Sequence, residues 1–199
     1  MKTLKSPFIR LLQFLLLFAI AGWTWISIAV EIEAPFRQEI LNRGGQHKAL
    51  IIFHPSWIDH FQDDLTSHFA RGLGKAGWTV DRVTASSANP PNVEGYDLVV
   101  LGTNTYYWRP DLPTKSLLAK LNLKTKLCVG LVSGAGSTGR AERVLKEAIE
   151  RAHGTVSDIH SFWLWRPNDK KRLQEDNRKV ALEQALELGV RIGNNSKRG

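Results

Sequence analysis

The 199-residue chain carries 27 Lys+Arg against 19 Asp+Glu, a single Cys and 43% hydrophobic residues. That profile suits one globular domain with an appendage and excludes disordered, collagen-like and disulfide-scaffold classes. Cys128 alone can form no internal disulfide, CxxC pair or four-thiolate metal site, so any redox chemistry must come from a bound organic cofactor. The net charge of +8 is partly an amino-terminal cluster, because Lys2, Lys5 and Arg10 precede the first acid and leave 24 bases against 19 acids in residues 11–199. No recognisable nucleic-acid-binding module accompanies this excess, so nucleic acid is not an expected partner.

From Leu11 to Val30 the chain reads LLQFLLLFAIAGWTWISIAV, twenty residues without a charge. As a helix this stretch is about 30 Å long, the thickness of a bilayer's hydrocarbon core. Residues 1–30 therefore read as a transmembrane anchor, with residues 11–30 in lipid and Trp23 and Trp25 suited to the interface. Ala19-Ile20-Ala21 imitates a signal-cleavage site, but the apolar run continues past it with two tryptophans, which favours an uncleaved single-pass anchor. Lys2, Lys5 and Arg10 precede the span, whereas Glu31, Glu33 and Glu39 offset Arg37, Arg43 and Lys48 after it; the positive-inside rule would put the rest of the chain outside, and the sequence leaves its side of the membrane open. Residues 31–47, with the pair Gly44-Gly45, read as a juxtamembrane helix or linker, and a domain over 48–199 should follow.

In that domain apolar β-type runs fall at 49–53, 78–83, 96–102, 126–132 and 155–164, separated by helical patterns at 61–75, 115–121, 139–152 and about 169–190. Residues 84–95, with Ser86-Ser87 and Pro90-Pro91, read as a loop. Strands this apolar, alternating with helices, call for a parallel sheet covered on both faces. Right-handed crossovers then reduce the topology to a doubly wound, five-stranded α/β sandwich, whose ligands bind at the carboxyl ends of the strands.

Three loops at those ends are unusual. The loop after the fourth strand, VSGAGSTGR over 132–140, offers backbone amides, small residues and a helix amino terminus, which suit an anionic or carbonyl-rich ligand. Gly134, Gly136 and Gly139 also spell GxGxxG, with Asp158 at the spacing of the acid in a dinucleotide fingerprint, although that fingerprint normally follows the first strand. Arg140-Ala141 stand where a P-loop needs Lys and Ser/Thr, and Leu131 and Ala135 rule out a GxSxG elbow at Ser133. An ordinary βα turn is the plain alternative. After the third strand, Tyr106, Tyr107 and Trp108 cannot all face a core; they stack on a planar ligand or form a protein or membrane contact patch. In the first loop Asp59, His60 and Asp64 include an i,i+4 pair of metal-ligand types, but the acids are equally ordinary helix-start residues and no metal is expected.

Residues 48–153 resemble the flavodoxin family. ALIIF at 49–53, RGLGKAGWTV at 71–80, YDLVVLGT at 96–103 with Tyr106 and Arg109-Pro110, and VSGAG at 132–136 correspond to the family's first strand and helix, its YDxxxxGSPxY…RP stretch and its SxGGG loop. The resemblance implies strand order 2-1-3-4-5 and FMN lying across the three loops, phosphate on the first and isoalloxazine between the second and third. It carries cofactor contact to Thr103, Asn104, Thr105 and Tyr106 and to Ser133, Gly134, Ala135 and Gly136, with Ser56 the only hydroxyl of the first loop and Trp57 flanking the ring. The first loop departs from the family's TxTGxT-like pattern: HPSWIDHF at 54–61 has no Gly, Pro55 lacks an amide donor, and Asp59, Asp63 and Asp64 repel a phosphate. The basic charge also departs from acidic electron carriers and suits anionic lipid or an acidic partner, with Lys170-Lys171-Arg172 and Lys197-Arg198 as candidate contacts.

Two functions follow as expectations. One is a membrane-anchored FMN protein for electron transfer or flavin-dependent reduction, meeting a redox protein partner and using no catalytic side chain. The other is a flavodoxin-fold domain without FMN, acting as a membrane-tethered binding or assembly module. A dinucleotide-binding domain comes third.

Overall fold

The computed structural model describes residues 7–56 and 58–196; Lys2, Lys5, Trp57 and Lys197-Arg198 lie outside them. The described residues fall into two units, one ending at Ile32 and the other beginning at Glu33. The first contains helix α1 (Pro7–Ala29), 23 residues with no buried side chain, long and apolar enough to cross a bilayer.

In the second unit strands β1 (Gln38–Asn42), β2 (His47–Phe53), β3 (Trp78–Thr84), β4 (Leu98–Tyr106), β5 (Arg109–Pro110), β6 (Leu127–Gly134) and β7 (Thr155–Trp163) alternate with helices α2 (Phe61–Lys75), α3 (Leu112–Leu118), α4 (Gly139–Arg151) and α5 (Asn177–Asn195). The five expected strands are parallel and adjacent as β3-β2-β4-β6-β7, which is the order 2-1-3-4-5. β1 extends this sheet antiparallel to β3, with Gln38 opposite Val83. It lies inside the segment 31–47 that reads as a helix or linker from sequence. An edge strand needs only backbone bonds to its single neighbour, and QEILN buries no side chain completely, so its sequence carries no period-2 signal.

The sheet alternates its side chains between two cores, as a sheet covered on both faces must. Ala49, Ile51, Leu98, Val100, Val129 and Leu131 pack beneath α2 and α5, whereas Leu50, Ile52, Val99, Leu101, Cys128 and Val132 pack beneath α3 and α4. α2 turns Phe61, Leu65, Phe69 and Leu73 inward at four-residue spacing. It meets α5 at a glycine crossing: a Cβ on Gly72 would lie 2.1 Å from the Leu186 carbonyl oxygen, and one on Gly189 would lie 2.2 Å from the Phe69 carbonyl oxygen. α5 starts at Asn177 rather than near 169, because Asp176 accepts from the Lys179 amide at 2.7 Å and caps it there. The residues before it form turns pinned by Asn168 and Asn177, whose Nδ2 donates to the Trp163 carbonyl at 2.8 Å. α3 likewise starts at Leu112 instead of Lys115, capped by Asp111.

Candidate functional site at the carboxyl ends of the strands

β4 runs four residues beyond its expected end and turns back as a hairpin, Tyr106 pairing with Arg109 and Thr105 with Pro110. The two turn residues are Tyr107 and Trp108, with φ of 51° and 58°. A two-residue hairpin turn with positive φ at both central positions normally uses Asn and Gly, and a left-handed conformation costs other residues about 1–2 kcal/mol each. Here that strain presents two aromatic side chains to solvent, Tyr107 at 49% and Trp108 at 61% exposure.

Because Thr103 and Asn104 lie in the strand and not in a loop, their side chains are buried. They converge on Asp111, itself fully buried. Thr103 Oγ1 donates to Asp111 Oδ2 at 2.9 Å, the Asn104 amide donates to the same oxygen at 2.7 Å, and the Thr114 amide donates to Oδ1 at 2.9 Å. His54 Nδ1 lies 3.7 Å from Oδ2. Asn104 then links the three loops: its Nδ2 donates to the His54 carbonyl at 2.8 Å, and its Oδ1 accepts from Ser133 Oγ at 3.2 Å. Burial by itself would raise the Asp111 carboxyl, but the neighbouring His54 and the Thr114 bond hold it below the ordinary aspartate value. Thr103, Asn104 and Ser133 thus join the loops to one another.

The other expected contacts line the outer row of the sheet end. Register places Thr105 beyond Asn104, which faces Ser133, while Gly134 faces Trp163. A Cβ on Gly134 would come within 3.2 Å of Thr105 Cβ, so the second and third loops touch there. Thr105 Oγ1 is buried without a hydrogen-bond partner. Tyr106 and Gly136 are half-buried and Ala135 is exposed. The third loop folds onto the end of β7, with the Gly134 carbonyl accepting from the Leu164 amide and the Ala135 carbonyl from the Trp165 amide, both at 2.9 Å. Trp163 Nε1 donates to Thr138 Oγ1 at 3.0 Å, which fixes the far side of that loop. This arrangement adds Trp165, 85% exposed, to the row. Sequence reasoning passed over it: the only signal was the Trp163-Leu164-Trp165 alternation, which read simply as the end of a strand.

Asp158 stands opposite Val129, five positions before Gly134 along β6 and so about 17 Å from the glycine loop, where it pairs with Arg191 at 3.7 Å. It cannot serve that loop as the acid of a dinucleotide fingerprint. A cavity of about 440 Å³ lies between α3 and α4, lined by Lys115, Leu118, Leu121, Leu145 and Arg151 among others, and none of the expected contacts borders it. Cys128 is buried, and burial pushes its thiol up to about 12, which leaves it inert as a nucleophile.

In the first loop Ser56 is buried and its carbonyl accepts from the His60 amide at 3.1 Å. Trp57 lies outside the described residues. Asp59 Oδ1 accepts from the Phe61 amide at 2.9 Å, at the very start of α2. Arg178 crosses from α5 to donate to the Asp59 carbonyl at 2.8 Å and to Asp64 Oδ2 at 2.6 Å. Asp63 binds Arg37 at 2.8 Å and also Arg82, which is buried, lies 4.4 Å over the Phe53 ring and binds Glu39 at 2.9 Å. Burial would raise the Asp63 carboxyl, yet the bonds from Arg37 and Arg82 hold it below its ordinary value. Among the described residues no group of three His, Cys, Asp or Glu side chains is placed to hold a metal ion.

No family model matches the sequence, and no curated protein matches it. Solved structures do. A flavodoxin from the domain Archaea aligns over 75% of this chain and 99% of its own at 16% identity, with a TM-score of 0.56. An azoreductase from Bacillus anthracis str. Sterne aligns over 73% of this chain and 100% of its own at 12% identity and TM-score 0.55. The flavodiiron protein from Giardia intestinalis aligns over 77% of this chain and 37% of its own at 14% identity and TM-score 0.58. With the strand order and the loop geometry, these likenesses identify the fold of the domain as flavodoxin-like.

Proposed function

We propose that this chain is a membrane-anchored electron-transfer or flavin-dependent reducing protein that holds the ring system of a flavin between its second and third loops. Residues 1–30 serve as the anchor, 31–47 connect, and the remainder is the flavin-holding domain. The observation that carries this function is the Tyr107–Trp108 turn, in which the chain accepts left-handed backbone at two bulky residues to expose aromatic faces beside the glycine loop; strain of this kind is found at ligand clamps. Three further features suit a flat heteroaromatic ring: the unpartnered Thr105 hydroxyl, the small residues Gly134 to Gly136, and exposed Trp165. A bound flavin would supply the redox chemistry, and the chain's own residues would bind and orient its ring. FMN as a whole fits less well, because its phosphate would meet the acid-lined first loop.

The test uses the full chain in detergent micelles. Flavin fluorescence should be quenched on titration with the protein, well beyond the change given by empty micelles, and absence of quenching up to about 100 µM sinks the proposal. That negative result would favour the second function, a flavin-free module using the same aromatics on a protein partner, for which the internal satisfaction of Thr103, Asn104 and Ser133 speaks.

Trp108→Gly separates stability from binding. Relief of the left-handed strain, less the backbone entropy of glycine, should stabilise the fold by about 0.5–1 kcal/mol. The lost aromatic face should weaken flavin binding by about tenfold. Melting temperature and a fluorescence titration report the two effects, and unchanged affinity would remove Trp108 from the site.

A further inference from the structure

The first loop is built against a dianion. Its Pro55 has no amide hydrogen, and three of its other amides are already used: His54 donates to the Gly102 carbonyl at 3.3 Å, His60 to the Ser56 carbonyl at 3.1 Å, and Phe61 to the Asp59 carboxylate at 2.9 Å. The Phe61 amide opens α2, where the helix dipole would favour a ligand anion. A protein carboxylate holds that position. Two more carboxylates, Asp63 and Asp64, stand in the first turn.

Three guanidiniums reach this turn, and each is committed. Arg178 is shared between the Asp59 carbonyl and Asp64, Arg37 is on Asp63, and Arg82 is divided among Asp63, Glu39 and Thr66. A phosphate arriving here would face the Asp59 carboxylate and find the Phe61 amide already taken, or would have to take a cation from an acid that then lies unpaired. The ring end of the site, by contrast, carries no such penalty, since Thr105, Ala135, Gly136 and Trp165 are uncharged.

Resting on the flavin proposal above, we infer that the site selects a flavin without a phosphate: Asp59 excludes the phosphorylated end, and the ligand class is a riboflavin-like planar heteroaromatic with a neutral tail in preference to FMN. Asp59 acts here as a specificity-determining residue. It both accepts from the first amide of α2 and spends the anion position that a phosphate would need.

The experiment compares riboflavin and FMN as probes, titrated by fluorescence against the full chain in micelles, for the native sequence and for Asp59→Asn. The asparagine keeps an oxygen that accepts from the Phe61 amide, so that turn bond survives while the charge is removed. The native chain should bind riboflavin about tenfold more tightly than FMN or better, with the gap narrowing in about 1 M salt as charge is screened. Asp59→Asn should tighten FMN by about fivefold or more and leave riboflavin within about twofold. FMN binding as tightly as riboflavin to the native chain overturns the inference and leaves the flavin proposal standing. An unchanged preference in Asp59→Asn removes Asp59 from its role and overturns it as well. Binding of neither flavin fails the flavin proposal itself, and this inference falls with it.

Discussion

Gly72→Ala should lower the melting temperature by about 5–10 °C, corresponding to about 2–3 kcal/mol, whereas Gly74→Ala in the same helix should raise it. Both changes add one methyl to α2, and both gain up to about 1 kcal/mol of helix propensity. The surroundings decide the sign. The new Cβ at 72 would stand 2.1 Å from the Leu186 carbonyl oxygen and 2.9 Å from Gly189 Cα, a backbone contact that no rotamer change relieves. At 74 it would meet only the Asn42 side chain, at 3.6 Å, an ordinary contact. Separating α2 from α5 would also loosen Phe69, Leu73, Ala185 and Leu188, which fill the core beneath them. Thermal unfolding of the two single variants, measured side by side, checks the pair. Equal shifts would mean that the helices do not cross where Gly72 and Gly189 place them.

Asp111→Ala should cost about 3–5 kcal/mol, because it leaves the Thr103 hydroxyl and the Asn104 and Thr114 amides buried without their acceptor. Asp111→Asn should cost less, about 1–2 kcal/mol, since the amide oxygen can still accept while its NH2 faces donors. Denaturant titration distinguishes the two. The carboxylate also sets a pH dependence. Its folded-state value lies below that of the unfolded chain, so its contribution is complete above the unfolded value of about 3.9 and declines as pH falls through the lower folded value. Asp63, lowered by Arg37 and Arg82, titrates in the same direction. Native stability should therefore fall on acidification below about pH 4, and more shallowly for Asp111→Asn, which has no proton to gain. Parallel acid limbs for the two proteins would show that Asp111 is not the group responsible.

Local signals in the sequence read well where burial is regular. The unbroken apolar runs Ala49–Phe53 and Leu98–Leu101 follow from strands covered on both faces, and the four-residue spacing Phe61, Leu65, Phe69, Leu73 marks the buried stripe of α2. α5 starts later than its composition suggests because Asp169 to Glu175 has helical composition without apolar spacing, and the cap at Asp176 outweighs composition. β1 left no periodic trace because an edge strand need not bury alternate residues. In the site, glycines and aromatics stood out by type, but the roles of Thr103, Asn104 and Ser133 did not. Whether such side chains face a ligand or a buried carboxylate depends on Asp111, seven residues along the chain from Asn104 and brought back by a hairpin whose turn residues give no conventional turn signal.

The sequence by itself determined alternating apolar strands and helices following one apolar helix, and one cysteine and therefore no internal disulfide or CxxC pair, because these follow from counts and from the placing of apolar runs and 3.6-residue periodicities. Tertiary structure alone decided that the cysteine is inert in its core, that Asp63 and Asp64 at the start of α2 are paired with Arg37, Arg82 and Arg178, and that Trp165 joins Tyr107 and Trp108 at the sheet end. Each of these depends on which residues from distant elements share a place. Such proximity is set by sheet register and helix crossing, and neither is written in any local stretch of the chain.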